Sequence, residues 1–436
     1  MALQEVFLHN TITQKPGHIQ TVSSNNTGAN GTTRNKAWVV DIEDDTKEKR
    51  ELCEIPFYRS LTPIFRLMAI LGLYRQSTSM SATSIAKIIY GGVVVILLWG
   101  NFVRSLAAIW LETDIPTEIF VTCIIASVWL LQCACNATIC FYMCFTDKYQ
   151  TFFQHFEKHC QSEFSQRINL QLNVHWLKKA TVIVTVISLV FITTNTVASY
   201  VFTYGPFESL PNLTLSMFMS PFDTSSHVVV QILINISFLF DTAAWIFPIS
   251  LFTVICLQLS RQFKELNKTI AKATEKDGTI TKCLEMIRRE HQHLCRSVGH
   301  ADHIFSVIVL VELGLNLPLI CFLLYEIIVV SYPFGAFMLT LIVFWLLAIC
   351  TSVGIVSWFG AVLHESAHAA VHNLHDISIS PGTENHRILE VCMFMAKMNG
   401  TPIAITICNL IPLTKEFILT VIGVLVTYFA LVAQTI

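Results

Sequence analysis

Charge is what this chain has least of. Asp, Glu, Lys and Arg make up 13% of its 436 residues, where an ordinary soluble domain carries about a quarter. A surface that water solvates cannot be built from so few, and 53% of the residues are hydrophobic. The net charge of -2 leaves no global basic field, so nucleic acid is not an expected partner and electrostatic work must be local. The composition points to lipid as the solvent. A polar-loop cysteine framework is missing too. The 14 cysteines are scattered through apolar runs, as at Cys133, Cys135, Cys140 and Cys144, where a thiol packs as a small hydrophobe. No cleavable signal peptide is expected, because Met1 to Arg50 is polar, Asn/Thr-rich and charged. Residues 1–60 therefore read as a largely disordered cytoplasmic tail.

What is present is a series of long apolar runs. A helix of about 20 apolar residues spans the hydrocarbon core, and seven such stretches occur: Ile88 to Trp110, Ile119 to Phe141, Ala180 to Phe202, Val228 to Leu257, Phe305 to Val330, Phe337 to Leu363 and Phe417 to Ala433. The expected fold is all-α and polytopic, with the two termini on opposite sides of the membrane.

Lys and Arg collect in the cytoplasmic loops of such proteins. Here Lys148, Lys158, Arg167, Lys178 and Lys179 lie between the second and third spans, and nine more, from Arg261 to Arg296, between the fourth and fifth. Arg387, Lys397 and Lys415 lie between the sixth and seventh, whereas the alternate loops Leu111 to Thr117, Gly205 to Ser226 and Ser331 to Ala336 contain none. The N-terminus is thus expected inside and the C-terminus outside. Asn212-Leu213-Thr214, a glycosylation acceptor, falls in the longest external loop, while the sequons at Asn25, Asn30 and Asn267 fall where no lumenal enzyme reaches.

The internal segments are not plain linkers. Leu284, Ile287, Leu294 and Val298, with His291 in register, follow helical spacing with one buried face. Phe152, Phe153, Phe156 and Phe164 form an aromatic stripe suited to core or subunit contact. Membrane helices are expected to run on into a cytoplasmic anchor. The division is then residues 61–363 for six spans with their extensions, 364–415 for an anchor segment and 416–436 for the last span.

That last span carries Thr420, Val424, Thr427, Leu431 and Gln434 at steps of four, three, four and three, a single helical face. A polar stripe in hydrocarbon needs protein or water beside it. It faces a bundle or a pore, unless the threonines bond back to their own helix and Gln434 sits in the headgroup zone.

Thr427-Tyr428-Phe429-Ala430-Leu431-Val432-Ala433-Gln434 resembles the C-terminal signature of insect gustatory receptors: Thr-Tyr, five hydrophobic residues, then Gln-Phe. Leu61-Thr62-Pro63 followed by Ile70-Leu71-Gly72-Leu73 is similar to that family's Pro and Gly-Leu segment before the first span. The resemblance implies a ligand-gated, non-selective cation channel: a homotetramer or heterotetramer whose seventh helices surround a central pore, in the plasma membrane of sensory neurons, with a small-molecule ligand and lipid as partners and no cofactor. Thr420, Val424, Thr427, Leu431, Gln434 and Thr435 would line the pore. Thr435 stands where the family has Phe, and a hydroxyl cannot dewet a constriction as a ring can, so the gate shifts to Leu431 or Ile436. Phe429 stands where sugar-sensing members have Glu after the Thr-Tyr pair, which disfavours that branch.

The same resemblance puts the ligand in the outer halves of the other helices. Ionisable and aromatic residues there are expensive in lipid and become candidates for pocket or packing roles: Trp129, Asp241, Trp245, Tyr325, Glu326 and Trp345. Asp241 reads equally as a pocket residue or a helix-pairing one, with Arg104 as a partner that could instead snorkel. Glu312, deeper, reads as a buried hydrogen-bonded carboxyl.

Two other classes stay in view. His364-Glu365-Ser366-Ala367-His368 matches H-E-x-x-H, where two histidines chelate zinc and the Glu activates water. His372 and His375 continue the row, but a metzincin would need Gly at Val371 and His at Leu374; metal modulation or packed histidines are the other readings of His364 and His368. A G-protein-coupled receptor shares the number seven, yet Asp-Arg-Tyr and Asn-Pro-x-x-Tyr are lacking and the charge count inverts its orientation.

Overall fold

The computed structural model describes residues 56–75, 82–111, 117–160, 173–204, 228–277, 284–329, 335–375, 385–400 and 402–434. Along the chain these form α1 (Pro56–Ile70), α2 (Ala82–Leu111), α3 (Thr117–Phe145), α4 (Lys148–Cys160), α5 (Val174–Tyr204), α6 (Val228–Asp277), α7 (Leu284–Val329), α8 (Gly335–His368), α9 (Ala370–His375), α10 (Asn385–Gly400), the two-residue strands β1 (Thr406–Ile407) and β2 (Ile411–Pro412), and α11 (Lys415–Ala433). Seven of the helices, α2, α3, α5, α6, α7, α8 and α11, are long and apolar enough to cross a membrane. The chain is a multi-pass membrane protein of nearly all-helical fold.

Two helices run to more than double what a bilayer needs. α6 has 50 residues and α7 has 46, so at 1.5 Å per residue each is about 70 Å long, more than double the ~30 Å hydrocarbon core. Their extensions meet at one end of the bundle. Leu284, Ile287, Leu294 and Val298 of α7 are all buried there, and His291 lies between the rings of Phe263 and Phe394, with its Nε2 3.2 Å from the carbonyl of Ala367. Asn267 donates to the Ser366 carbonyl at 2.8 Å. An amphipathic helix that buries one face in this way gains its stability from the packing, not from propensity.

The aromatic stripe is core. Phe152, Phe153 and Phe156 of α4 pack edge-on or tilted around Phe57 of α1 at ring separations of 6.2, 5.5 and 4.5 Å, and Phe164 lies outside the described residues. Phe57 and Tyr58 of α1 are buried. α1 then ends in a turn that only glycine fits. Gly72 has φ +71°, and a Cβ there would lie 2.8 Å from Cγ2 of Val94. This turn is the Gly-Leu segment singled out in the sequence. Among the described residues every cysteine is a free thiol, with Cys133, Cys140 and Cys144 buried.

Among the described residues the approach to α11 is the one place with strand pairing. Thr406 pairs with Pro412 and Ile407 with Ile411; Cys408 and Asn409 turn the hairpin with φ of 50° and 59°. Asp302 of α7 clamps it, accepting from the Thr406 backbone N–H at 2.6 Å and from its hydroxyl at 3.0 Å. Thr414 caps α11 by accepting from the Phe417 N–H. Leu413 packs so closely on Gly360 of α8 that a Cβ there would meet its Cδ1 at 2.5 Å. The last span is thereby hung from α7 and α8.

Candidate functional site

Two places bring the singled-out residues together: a cavity among α3, α5, α6, α7 and α8, and the outward surface of α11.

The cavity is lined by Thr122, Ile125, Ala126 and Trp129 of α3, Asn195 of α5, Phe238 and Trp245 of α6, Leu323 and Glu326 of α7, and Ile342, Trp345 and Ile349 of α8. Its volume, open to the centre of a water molecule, is ≈ 60 Å³. One water needs about 10–15 Å³ on that measure, so the space holds a few waters or a small ligand fragment, and a larger guest requires side chains to move. Trp129 sits edge-on to Trp245, ring centroids 6.1 Å apart, and 5.0 Å from Phe238. Trp345 donates its Nε1–H to Oδ1 of Asn195 at 3.3 Å, and Asn195 donates to the Thr242 hydroxyl at 3.0 Å. The Asn195 side chain is therefore held between Trp345 and Thr242. Glu326, buried, accepts from the Thr122 hydroxyl at 2.5 Å, which ties α7 to α3 across the cavity. The indole N–H of Trp245 has no hydrogen-bond partner among the described residues.

Of the six residues singled out for this region, Trp129, Trp245, Glu326 and Trp345 line the cavity. Tyr325 and Asp241 are not among its lining residues. Asp241 is fully buried and accepts from Asn101 at 2.7 Å, while Arg104 donates to the same Asn101 at 2.9 and 3.1 Å. The amide bridges the two charges, which is the helix-pairing arrangement. Glu312 is a buried hydrogen-bonded carboxyl: Gln132 and Asn136 of α3, Asn316 of α7 and Ser352 of α8 all donate to it, at 2.8–3.2 Å. Such saturation is what a carboxyl in an apolar bundle requires. Thr122 and Asn195 escaped sequence reading, since a single small polar residue in an apolar run has no pattern. The only available signal was the cost of an amide in hydrocarbon.

α11 is nearly bare. Of its residues only Val432 is buried, and Phe417, Ile418, Val421, Leu425 and Tyr428 are partly covered; this narrow stripe leans on α7 and α8. Thr420, Val424, Thr427, Leu431 and Gln434 form a separate line, and each of them is exposed. The hydroxyls of Thr420 and Thr427 donate to the carbonyls of Glu416 and Gly423, so they bond back to their own helix while their methyl groups and Oγ lone pairs stay outward. Tyr428 lies on the packed stripe. Thr435, Ile436 and Asn212 lie outside the described residues.

The H-E-x-x-H segment ends α8. Nδ1 of His364 is 3.2 Å from the Ile403 carbonyl and Nδ1 of His368 is 2.9 Å from the His364 carbonyl. Glu365 is ion-paired with Lys415 at 2.8 Å, so its carboxylate is turned to the start of α11 and not to the histidines. No cluster of three His, Cys, Asp or Glu able to hold a metal occurs among the described residues.

The fold is that of solved insect chemoreceptors. The structure of the olfactory receptor OR5 from Machilis hrabei superimposes with a TM-score of 0.65 at 15% identity, covering 87% of this chain and 98% of that one. The same receptor in complex with eugenol gives 0.66 at 15% identity, covering 89% and 100%. No curated protein sequence matches. A family model described as Trehalose receptor matches residues 116–436. That match runs over most of the chain, from the start of the second span to the last residue, and the chain belongs to this family of insect gustatory receptors.

Proposed function

We propose that this chain is a chemosensory receptor that works as a ligand-gated, non-selective cation channel in the plasma membrane of sensory neurons. Four copies, of this chain alone or with related receptors, surround a central pore lined by Thr420, Val424, Thr427, Leu431, Gln434 and Thr435. The N-terminus and the packed extensions of α6 and α7 lie in the cytoplasm, consistent with the Lys/Arg-rich loops on that side. The C-terminus and a glycosylated Asn212 lie outside.

The observation that carries this reading is the exposure of the Thr420 to Gln434 line in a helix whose other stripe is already packed. A membrane helix with one packed stripe and a polar-edged open one needs further protein or water beside it. Symmetric association supplies both, placing α11 next to its copies around a wet axis. The small-molecule ligand sits in the cavity of Trp129, Trp245, Glu326 and Trp345. It opens the channel only by as much as it binds the open state more tightly than the closed one.

Whole-cell current in cells expressing this chain, with Leu431→Ala and Gln434→Ala beside the parent, tests the reading. A ligand-evoked or constitutive cation current is expected, with Leu431→Ala raising the unliganded current and Gln434→Ala changing relative cation permeability. Currents identical in all three would remove α11 from the pore.

A further inference from the structure

We infer that the groove where α2 begins and α3 ends is a headgroup site for one anionic phospholipid, with Arg75 and Lys87 holding its phosphate. In the orientation proposed above this is a lipid of the cytoplasmic leaflet. The binding chemistry is the same on either side of the membrane and does not depend on the channel reading.

The groove is open on one side. Gly72 and Arg75 of the turn after α1, Lys87 and Ile88 of α2, and Phe141 and Phe145 of α3 are among its lining. Close packing builds its floor. Gly91 of α2 sits so near the turn that a Cβ there would lie 3.0 Å from the Gly72 carbonyl and 3.2 Å from Cδ2 of Phe141, and Tyr90 donates to the Ile70 carbonyl at 2.7 Å. These contacts press the turn onto α2 and α3 and bring Arg75 to the groove. The Arg75 backbone N–H donates to Sγ of Cys144 at 3.4 Å, and its Nη1 donates to the hydroxyl of Ser84 at 3.3 Å. Ser84 is itself buried. One of the five guanidinium donors thus fixes a planar fork suited to phosphate oxygens before any phosphate arrives. Lys87 stands one turn beyond Ser84 on α2, exposed, and lines the same groove.

The enclosed part of the groove is small, ≈ 20 Å³, which is room for one or two waters on the measure used above. A phosphate therefore rests at the mouth, between the two cations, while the rest of its molecule stays outside. That suits a lipid, whose chains must remain in the bilayer. The depth is right as well. The apolar run of α2 begins at Ile88 and that of α3 ends at Phe141, so Arg75 and Lys87 lie where headgroups are, and Ile88 and Phe141 where the acyl chains start. Phe145, 64% exposed, extends the apolar wall. A free phosphate gains nothing from these three side chains; a phospholipid gains from them and from the charges. Two cations favour a net negative headgroup, since a choline lipid brings a positive charge of its own. Lys148 adds a third basic group at this end of α3, 5.3 Å over the Tyr142 ring. The acidic neighbour Asp147 is partly buried and is not among the lining residues.

Native mass spectrometry of the purified full-length protein in detergent tests the assignment. Titration with dioleoylphosphatidylglycerol or with dioleoylphosphatidylcholine reads the affinity of the first lipid bound per protomer. The glycerol lipid is expected to bind about tenfold more tightly, from two basic groups acting on one anionic headgroup. Arg75→Gln with Lys87→Gln should erase that preference. Lys264→Gln with Lys272→Gln, which removes the same charge from exposed positions of α6, should keep it. If the first pair does not fold, Lys87→Gln alone, at an exposed position, decides by narrowing the preference about threefold. Equal binding of the two lipids, a preference that survives the loss of both groove cations, or an equal loss in the α6 control would each overturn the assignment. Displacement of the glycerol lipid by equimolar inorganic phosphate would overturn it in favour of a free anion. The readout involves no current, so failure here leaves the channel reading standing, and a silent channel leaves this one standing.

Discussion

α6 and α11 are both apolar enough to cross a membrane, yet 89% of the most apolar window of α6 is buried inside the protomer and 6% of that of α11. The buried helix is the one with more polar atoms: Asp241, Thr242, Ser250, Thr253 and Gln258 are all covered. α11 shows lipid-like side chains on nearly every side, with Leu419, Ile422, Val426 and Leu431 at least half exposed. In water the more apolar helix would be the core. In lipid the tails are as apolar as leucine, so burial is driven by packing and by polar groups that need partners. α6 is interior because Asn101, Asn195 and Ser188 wait for its polar side chains. α11 is exterior because within one protomer nothing waits for it except a narrow stripe of α7 and α8.

The sharpest way to break the contrast is to truncate a large apolar residue in each helix. Phe252 of α6 is 1% exposed and sits edge-on to Phe305, whereas Leu419 of α11 is 69% exposed. Phe252→Ala is expected to cost about 3–5 kcal/mol and to strip most folded protein from a size-exclusion profile. Leu419→Ala should leave the profile and the melting midpoint of the protomer near those of the parent. Similar losses from both would mean that α11 is as embedded as α6.

Glycines give a smaller version of the same test. Gly360→Ala drives a methyl group into Leu413, an overpacking expected to cost about 1–3 kcal/mol and to lower the thermal midpoint. Gly423→Ala meets nothing within 4 Å and should raise it slightly, since alanine favours a helix by up to about 1 kcal/mol over glycine. If Gly423→Ala instead destabilises the assembled protein, it reports a close approach between copies at that position.

The weakest effect belongs to a region between the extremes. The ring of His155 of α4 lies tilted against that of His300 of α7, centroids 4.6 Å apart. Burial, and then the neighbouring His300, His293, Arg296 and Lys158, hold its imidazole below the usual histidine value. The unfolded chain takes up that proton near pH 6.5 and the folded one at lower pH, so between the two values the unfolded state binds more protons. Stability is complete above the ordinary histidine range and declines as pH falls through it. Melting midpoints measured from pH 7.5 to 5.5 should fall, and fall less in His155→Gln. An identical pH slope in the variant would take His155 out of the effect.

Much of this was legible beforehand because it rests on period and composition. Seven apolar runs, the buried face of Leu284 to Val298 and the Thr420 to Gln434 line each follow from helical spacing, and the last span carries a recognisable motif. Glu312 could be read as a satisfied carboxyl because an unsatisfied one in that place is too costly. Its partners could not: Gln132, Asn136, Asn316 and Ser352 come from three helices, and no spacing connects them. Asp241 reads either way for the same reason, since its partner Asn101 lies 140 residues away in sequence. The H-E-x-x-H pattern is the opposite case, a local motif whose Glu365 is claimed by Lys415, 50 residues on.

By itself the sequence determined that this chain lives in lipid, how many times it crosses and which face of the last helix is unusual, because those depend on side-chain chemistry repeated along one helix. Only the tertiary structure decided that Trp129, Trp245, Glu326 and Trp345 share a cavity while Asp241 and Tyr325 do not, and that α11 hangs outside the bundle. Those depend on how helices rotate against one another, which is set by contacts between residues far apart in the chain.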